Sequence, residues 1–588
     1  MALQVIIGGN MFSASNSFET RAVQWISGLA ALAALAMLMF AMPASRAAAA
    51  VPNGEGTYED LVSTFNDYWS WRTKLQAGVT QDFSPQAITE RRAELRGLHQ
   101  RLDRLGVARW TPSQKVDYLV VRAELDQHDF LLNVTKPWAR DPVFYVAELL
   151  DIAFTPLPAK AGDLDTLRRQ LRAIPAALEQ AKINLDSVAA DYADLAISYL
   201  TKSDGVENGY PYRAKPPAGV IGWYDDLLAR AEQDQRALAA DIRKARAAIV
   251  DFHAWMVANR SRMNAPAGVG EQQFDWFLRH GLLLPYTTRE VELLCQRELD
   301  RLWAFYGLER FRNRGLPELE RAQSAFEYGK RLASTDRLVR QWLKDKEFIS
   351  IPPFIPVGLE EMGYNVPWIE RETPPNFWEQ VQFRDPVPDH LHAVIPGHRF
   401  DDHVRRNLTH PIRSKVRSHA RWQGWAVYLE EGPLQAGILD DRARSRELIY
   451  VFGIWRAARS LGDVYGQRND MRAQQVVDWW MEVTPLLDAA VARKYAHLRP
   501  IPGHGLDYTI GNIQMFQLLG DRKRQLGEKF VMKDFHDDLM SRGQIPVALL
   551  RYEMTGNDVD LKRFFERTEL QAAGLAGAGT AESTSAGR

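Results

Sequence analysis

The chain has 588 residues, 73 of them basic and 74 acidic, for a formal charge of −1. So even a balance provides no global field to draw it to nucleic acid or an anionic membrane, and its partners must be read from a site. The one cysteine, Cys295, excludes an intrachain disulfide framework, and no cysteine stands near the leader to carry a lipid anchor.

Arg21 precedes an uncharged run from Trp25 to Met42, followed by Pro43, Ser45 and Ala48-Ala49-Ala50. That order of basic, apolar and small-residue regions predicts a secretory signal peptide over residues 1–50, cleaved before Val51; the stretch before Met11 reads as an over-long start. The run is also nearly long enough to span a bilayer, so the alternative is an uncleaved N-terminal anchor, the only membrane contact expected. Export without disulfides points to a bacterial periplasm, or to secretion.

Residues 51–571 read as one helical domain, in one or two interlocked lobes, of about 520 residues. Ser84-Pro85 supplies an N-cap and a first-turn proline, and Ile88, Leu95, Leu98, Leu102 and Leu105 recur at helical steps before Gly106. Thr111-Pro112 with Gln114 predicts a capped start leading into Val116 to Leu132. Helices are also expected from Asp163, over Trp223–Asn259 and over Thr288–Tyr306, with their charge runs on solvated faces. The Gly- and Pro-rich stretch 204–219 reads as a long loop, and the Pro- and aromatic-rich stretch 351–388 as a short strand-bearing lobe. The tail 572–588 is small and polar enough to predict disorder. No solenoid period is present.

The central segment is His392-Ala393-Val394-Ile395-Pro396-Gly397-His398. On an ideal helix, residues six apart point about 120° away from each other, so two facing imidazoles require the helix to break or bulge at Pro396-Gly397. From spacing alone, two unrelated histidines in a Pro-Gly turn are the commoner arrangement.

With this segment come Gln423-Gly424-Trp425-Ala426-Val427-Tyr428-Leu429-Glu430, Pro502-Gly503-His504-Gly505-Leu506-Asp507-Tyr508-Thr509-Ile510-Gly511, and Phe535-His536-Asp537 through Gly543-Gln544-Ile545-Pro546. In that order they resemble the large helical family known as domain of unknown function 885, grouped with gluzincin-type metallopeptidases. The likeness is strongest over about Pro375 to Met554. It implies a mainly α, metallopeptidase-like fold with a central cleft and a minor β element.

The family motif H-E-x-x-P-G-H implies zinc held by the two histidines, matched by His392 and His398, with a glutamate base where this chain has Ala393. The family segment E-G-W-A-x-Y-x-E implies a third ligand through its first glutamate, where this chain has Gln423; Tyr428 and Glu430 match. Tyr508 falls on the tyrosine taken to stabilise an oxyanion, His504 replaces a glutamine, and Asp401 stands where the family usually has Gln. Arg456, Arg459 and Asp463 resemble an Arg-x-x-Arg helix that could hold a substrate carboxylate, a buried structural ion pair being the alternative. His536 matches a position behind the site. Trp422, Trp425, Trp479 and Trp480 read as helix packing.

General-base assistance is worth about two to four powers of ten in rate, so losing it and an anionic ligand argues against an ordinary peptidase. Three readings follow. A metal, zinc, is held by His392 and His398 with His504 or Asp402 as third ligand, and Glu430 or Asp401 acts as base. Or the cleft, with Arg456, Arg459, Tyr428 and Gln423 lining it, binds a peptide or cell-envelope component without turnover. Or the imidazoles and Tyr508 perform metal-free acid–base chemistry such as an elimination.

Overall fold

The structure is a computed structural model that describes residues 51–202, 215–370, 374–496 and 502–570. The expected leader, most of the 204–219 loop and the tail lie outside these residues.

The capped starts form where the local chemistry places them. Helix α1 covers Tyr58–Trp71. Helix α2 (Pro85–Asp103) starts with the Ser84 side chain accepting from Ala87 N, and α3 (Pro112–Phe130) with the reciprocal Thr111–Gln114 box. The chain beyond α3 widens into a π turn over Leu131–Thr135, so the expected helix stops short of Leu132.

A second group of helices packs on its own core. These are α4 (Val143–Ala153), α5 (Ala161–Asn184), α6 (Ala190–Thr201), α7 (Gly219–Asp234) and α8 (Ala239–Asn259). They close over Leu167, Leu171, Trp223, Ile249 and Phe252. The helix expected over Trp223–Asn259 is therefore two. No Gly or Pro marks the break; the Gln235 side chain fixes it by accepting from Ala159 N (2.9 Å) and donating to Ala159 O (3.2 Å), a contact 76 residues away in sequence.

The larger core joins α1–α3 to the helices that carry the motifs. Around it stand α9 (Thr288–Arg312), α10 (Ala325–Asp345), α11 (Phe377–Gln382), α12 (Val387–Ala393), α13 (His398–Arg406), α14 (His419–Gln435), α15 (Ala443–Gln467), α16 (Ala473–Val483), α17 (Ala489–Ala496), α18 (Asp507–Leu526) and α19 (Met532–Ser541), of which α11, α16 and α17 close on α15 in a smaller core of Phe377, Phe452, Trp455 and Trp480. Helix α15 is buried nearly all round, so it serves as the central post.

Among the described residues there is no strand, only the isolated bridges Gly56–Leu105 and Ala189–Ala265. The expected strand-bearing lobe over 351–388 is instead turns with two short helices, Leu359–Met362 and α11. Pro352, Pro353, Pro356 and Pro367 remove backbone donors that a ladder would need. Among the described residues no helix is long and apolar enough to cross a membrane.

Candidate functional site

Helix α12 ends on His392-Ala393, and the chain reverses through Val394–Gly397, with a cis Ile395–Pro396 bond, before α13 begins at His398. Gly397 is required there, because a Cβ would overlap the carbonyl of His392. Trp425 Nε1 donates to Pro396 O at 2.9 Å and pins the turn to α14. The break brings the two imidazoles together, ring centroids 4.7 Å apart and nearly perpendicular at 84°.

Glu430 stands behind this pair. Its Oε1 lies 2.7 Å from His392 Nδ1 and accepts from Arg456 Nη2 at 2.9 Å, and Arg456 Nη2 is itself 3.4 Å from Nδ1. Burial pushes the Glu430 carboxyl up to about 7, with Arg456 pulling the other way. His392 is held well below the usual imidazole range, first by burial and then by Arg456 and Arg459. His398 is lowered by burial, then by His392 and Arg456, with Gln423 opposing.

Tyr508, in the first turn of α18, lies parallel to His392 at 6.5 Å. Its position follows from α15. Asp463 Oδ2 accepts from the backbone N–H groups of Gly505 (3.0 Å) and Leu506 (3.3 Å), while Ser460 Oγ donates to Gly505 O (3.0 Å). Gly503 turns the preceding chain with φ +89°. From α15 the Cζ atoms of Arg456 and Arg459 face the Tyr508 ring at 5.2 and 4.4 Å.

These elements enclose a cavity of about 370 Å³, lined by His392, Ala393, His398, Gln423, Arg456 and Tyr508. Trp378, Trp422 and Tyr495 add aromatic walls. A pocket with apolar walls and a few convergent polar groups suits a small organic ligand or a short piece of peptide.

Several residues expected at the site are engaged elsewhere. Asp401, expected as a base, is buried against Arg421 (3.1 Å) and does not line the cavity. Asp402, expected as a ligand, accepts from Arg417 Nη2 (2.7 Å) and Gln544 Nε2 (3.1 Å), because the α13 turn carries it toward α14 and the 543–546 loop. His504 sits edge-on to Tyr508 at 6.2 Å, outside the cavity lining. Among the described residues no group of three His, Cys, Asp or Glu side chains is placed to hold a metal. Tyr428, expected to contact substrate, is buried against His536 Nε2 at 2.9 Å. His536 Nδ1 is 2.7 Å from Phe348 O; a carbonyl only accepts, so the proton sits on Nδ1 and the Tyr428 hydroxyl donates to Nε2.

Other lining residues, Trp422 and Asp389 among them, were not read as part of the site in the sequence. Trp422, taken as packing, stacks on His398 at 3.8 Å, with Arg417 Cζ 4.5 Å from its ring. Asp389 is buried at the cavity edge, accepts from Asn365 Nδ2 at 3.1 Å and is pushed up to about 6 by burial. Its place three residues before His392 puts both on one helix face, a signal available in the sequence.

The sequence matches the family described as "Bacterial protein of unknown function (DUF885)" over residues 70–306 and 323–554. No curated protein matches it. Among solved structures, it is similar to a protein of unknown function from Shewanella oneidensis named as a candidate lipoprotein, with TM-score 0.65 and 15% identity over 85% of this chain and 100% of that one. A second candidate lipoprotein, from Colwellia psychrerythraea, gives TM-score 0.62 and 13% identity over 85% of this chain and 98% of that one. At such identities the likeness shows the fold alone.

Proposed function

Because the chain belongs to the bacterial family DUF885, we propose that its cleft is an inherited metallopeptidase-like pocket that now binds a peptide, or another cell-envelope component, without hydrolysing it. The observation that carries this reading is the pair of positions beside the imidazoles: a methyl at Ala393 and an amide at Gln423, both on the cavity wall. A zinc hydrolase needs three protein ligands and a group to deprotonate the metal-bound water.

The residues present do not fit that ion. His392 Nδ1 faces Glu430 and a guanidinium, Asp402 and His504 are turned to other surroundings, and Gln423 would add a neutral oxygen where the family motif has a carboxylate. A cation held 3.4 Å from one of the two imidazoles also opposes a second positive charge there.

The predicted leader, and the description of both structural neighbours as candidate lipoproteins, support a place outside the cytoplasm, in the periplasm or secreted.

One observation favours a second reading, metal-free acid–base chemistry. Glu430 against His392 Nδ1 is the arrangement that fixes an imidazole tautomer and leaves Nε2 as the working nitrogen.

A pool of short peptides, followed by thermal denaturation and mass spectrometry, tests both. Stabilisation with every peptide recovered intact supports binding. Cleavage products end the binding reading, and modified products that persist under chelation and vanish in His392→Ala support the second.

A further inference from the structure

A second, smaller cavity, of about 40 Å³, is walled by Glu124 and Gln127 of α3, Ser418 and His419 at the start of α14, Asp507 of α18, and Gln544. His419 here and Gln423 in the larger cavity are one turn apart on α14, a rise of about 6 Å, and Asp507 and Tyr508 are consecutive. A lysine-length side chain spans that separation.

The wall is acidic on balance. Asp507 is 3% exposed, and its Oδ1 has no hydrogen-bond partner among the described residues. Glu124 Oε2 lies 3.0 Å from the Tyr68 hydroxyl. Arg417, the basic side chain on this wall, is engaged elsewhere: it donates Nη2 to Asp402 (2.7 Å) and Nε to Gln544 Oε1 (3.1 Å). Burial, then Arg417, holds His419 below the usual imidazole range, so it brings no charge. Ser418 Oγ accepts from Arg421 N and caps the first turn of α14. Gln127 donates Nε2 to Gly281 O (2.9 Å), which leaves its Oε1 as an acceptor. Buried acceptors without donors are costly, and the space holds about one to three water-sized groups.

We infer that this cavity is a subsite for a primary ammonium group, whose three N–H donors and single positive charge serve Asp507, Glu124 and Gln127. Burial pushes both carboxyls upward, with Asp463 adding to this at Asp507 and with Tyr68 and Arg72 opposing it at Glu124. Without a cation these carboxyls keep their protons, and an arriving ammonium exchanges for one of them. Two sources carry the same chemistry: a free small amine, or a lysine-like side chain of a peptide seated in the larger cavity. The second source rests on the peptide-binding reading above.

Thermal denaturation in methylammonium, tetramethylammonium and potassium chlorides at equal concentration tests the subsite. Methylammonium should raise the midpoint above the other two, because tetramethylammonium has no N–H and potassium no directed donor. Asp507→Asn should abolish the rise and Glu124→Gln should reduce it; the comparison of the three salts in the unmodified protein stands even if either variant fails to fold. No rise beyond potassium and tetramethylammonium overturns the inference, leaving a water pocket or a simple monovalent-cation hole. Titration calorimetry then separates the sources. Acetyl-alanyl-lysyl-alanine binding about tenfold more tightly than its norleucine counterpart supports the peptide side chain, whereas equal binding beside a methylammonium effect supports a free amine. A lysine preference that survives Asp507→Asn counts against the subsite. If no peptide of the wider pool binds, the peptide reading falls while the methylammonium result still decides this one.

Discussion

Gly424 on α14 and Gly511 on α18 meet backbone to backbone: a Cβ on Gly424 would fall inside the Gly511 main chain, and one on Gly511 would overlap the carbonyl of Ala420. This close approach places Gln423 and Tyr508, neighbours in sequence of the contact region, on the walls of one cavity.

Gly424→Ala or Gly511→Ala should therefore destabilise the protein. Alanine gains about 1 kcal/mol of helix propensity over glycine, but forcing a methyl into a closed backbone contact costs typically about 1–3 kcal/mol, so the clash wins. Guanidinium denaturation should show a lower midpoint for either variant. An unchanged midpoint would mean that the two helices slide apart freely.

Asp463→Ala should loosen the turn that seats Tyr508. It removes the acceptor for the N–H groups of Gly505 and Leu506, and stranded buried donors cost about 1–3 kcal/mol. Ligand affinity should fall along with stability. Hydrogen exchange checks it: faster exchange confined to residues near 503–510 is expected, and full protection there would refute the role.

Acid should weaken the fold through histidines buried in the neutral state. Burial pushes His280 down to about 3 and His536 down to about 4 from an ordinary 6.5. A group whose folded value is depressed contributes stability that is complete above 6.5 and is lost as pH falls toward its folded value. Each should cost about 1.4 kcal/mol per pH unit between about 6.5 and 4. Denaturation midpoints measured across that window should decline, and less steeply in His280→Gln; a flat profile contradicts the assignment.

Metal analysis separates a diverged cleft from a hidden metalloenzyme. Purified protein should carry far less than one zinc per chain, and the double variant Ala393→Glu, Gln423→Glu should retain more, because it adds two carboxylates beside the imidazole pair. Stoichiometric zinc in the unmodified protein that disappears in His392→Ala would defeat the proposal.

Much of this structure was legible locally. The Ser84 cap and the Thr111–Gln114 box form as their side chains dictate, because capping involves residues at most a few positions apart. The Pro396-Gly397 break was readable for the same reason, since proline cannot continue a helix and the turn needs a residue without Cβ. Where a distant partner decided the outcome, reading failed. Gln235 splits a helix by bonding Ala159, and Asp402, Asp401 and Tyr428 are claimed by Arg417, Arg421 and His536.

The residue types by themselves determined a helical chain with a kinked two-histidine turn, and they determined that Ala393 and Gln423 lack the charge hydrolysis would use, because propensity, capping and side-chain chemistry act over a few neighbouring bonds. The tertiary structure alone decided which groups share the cavity. Glu430 reaches His392 from another helix, Trp422 covers His398, and Arg459 is clamped between the rings of Tyr495 and Tyr508. Those relations depend on how α14, α15 and α18 pack, and a long-range packing contact leaves no periodic mark in the sequence.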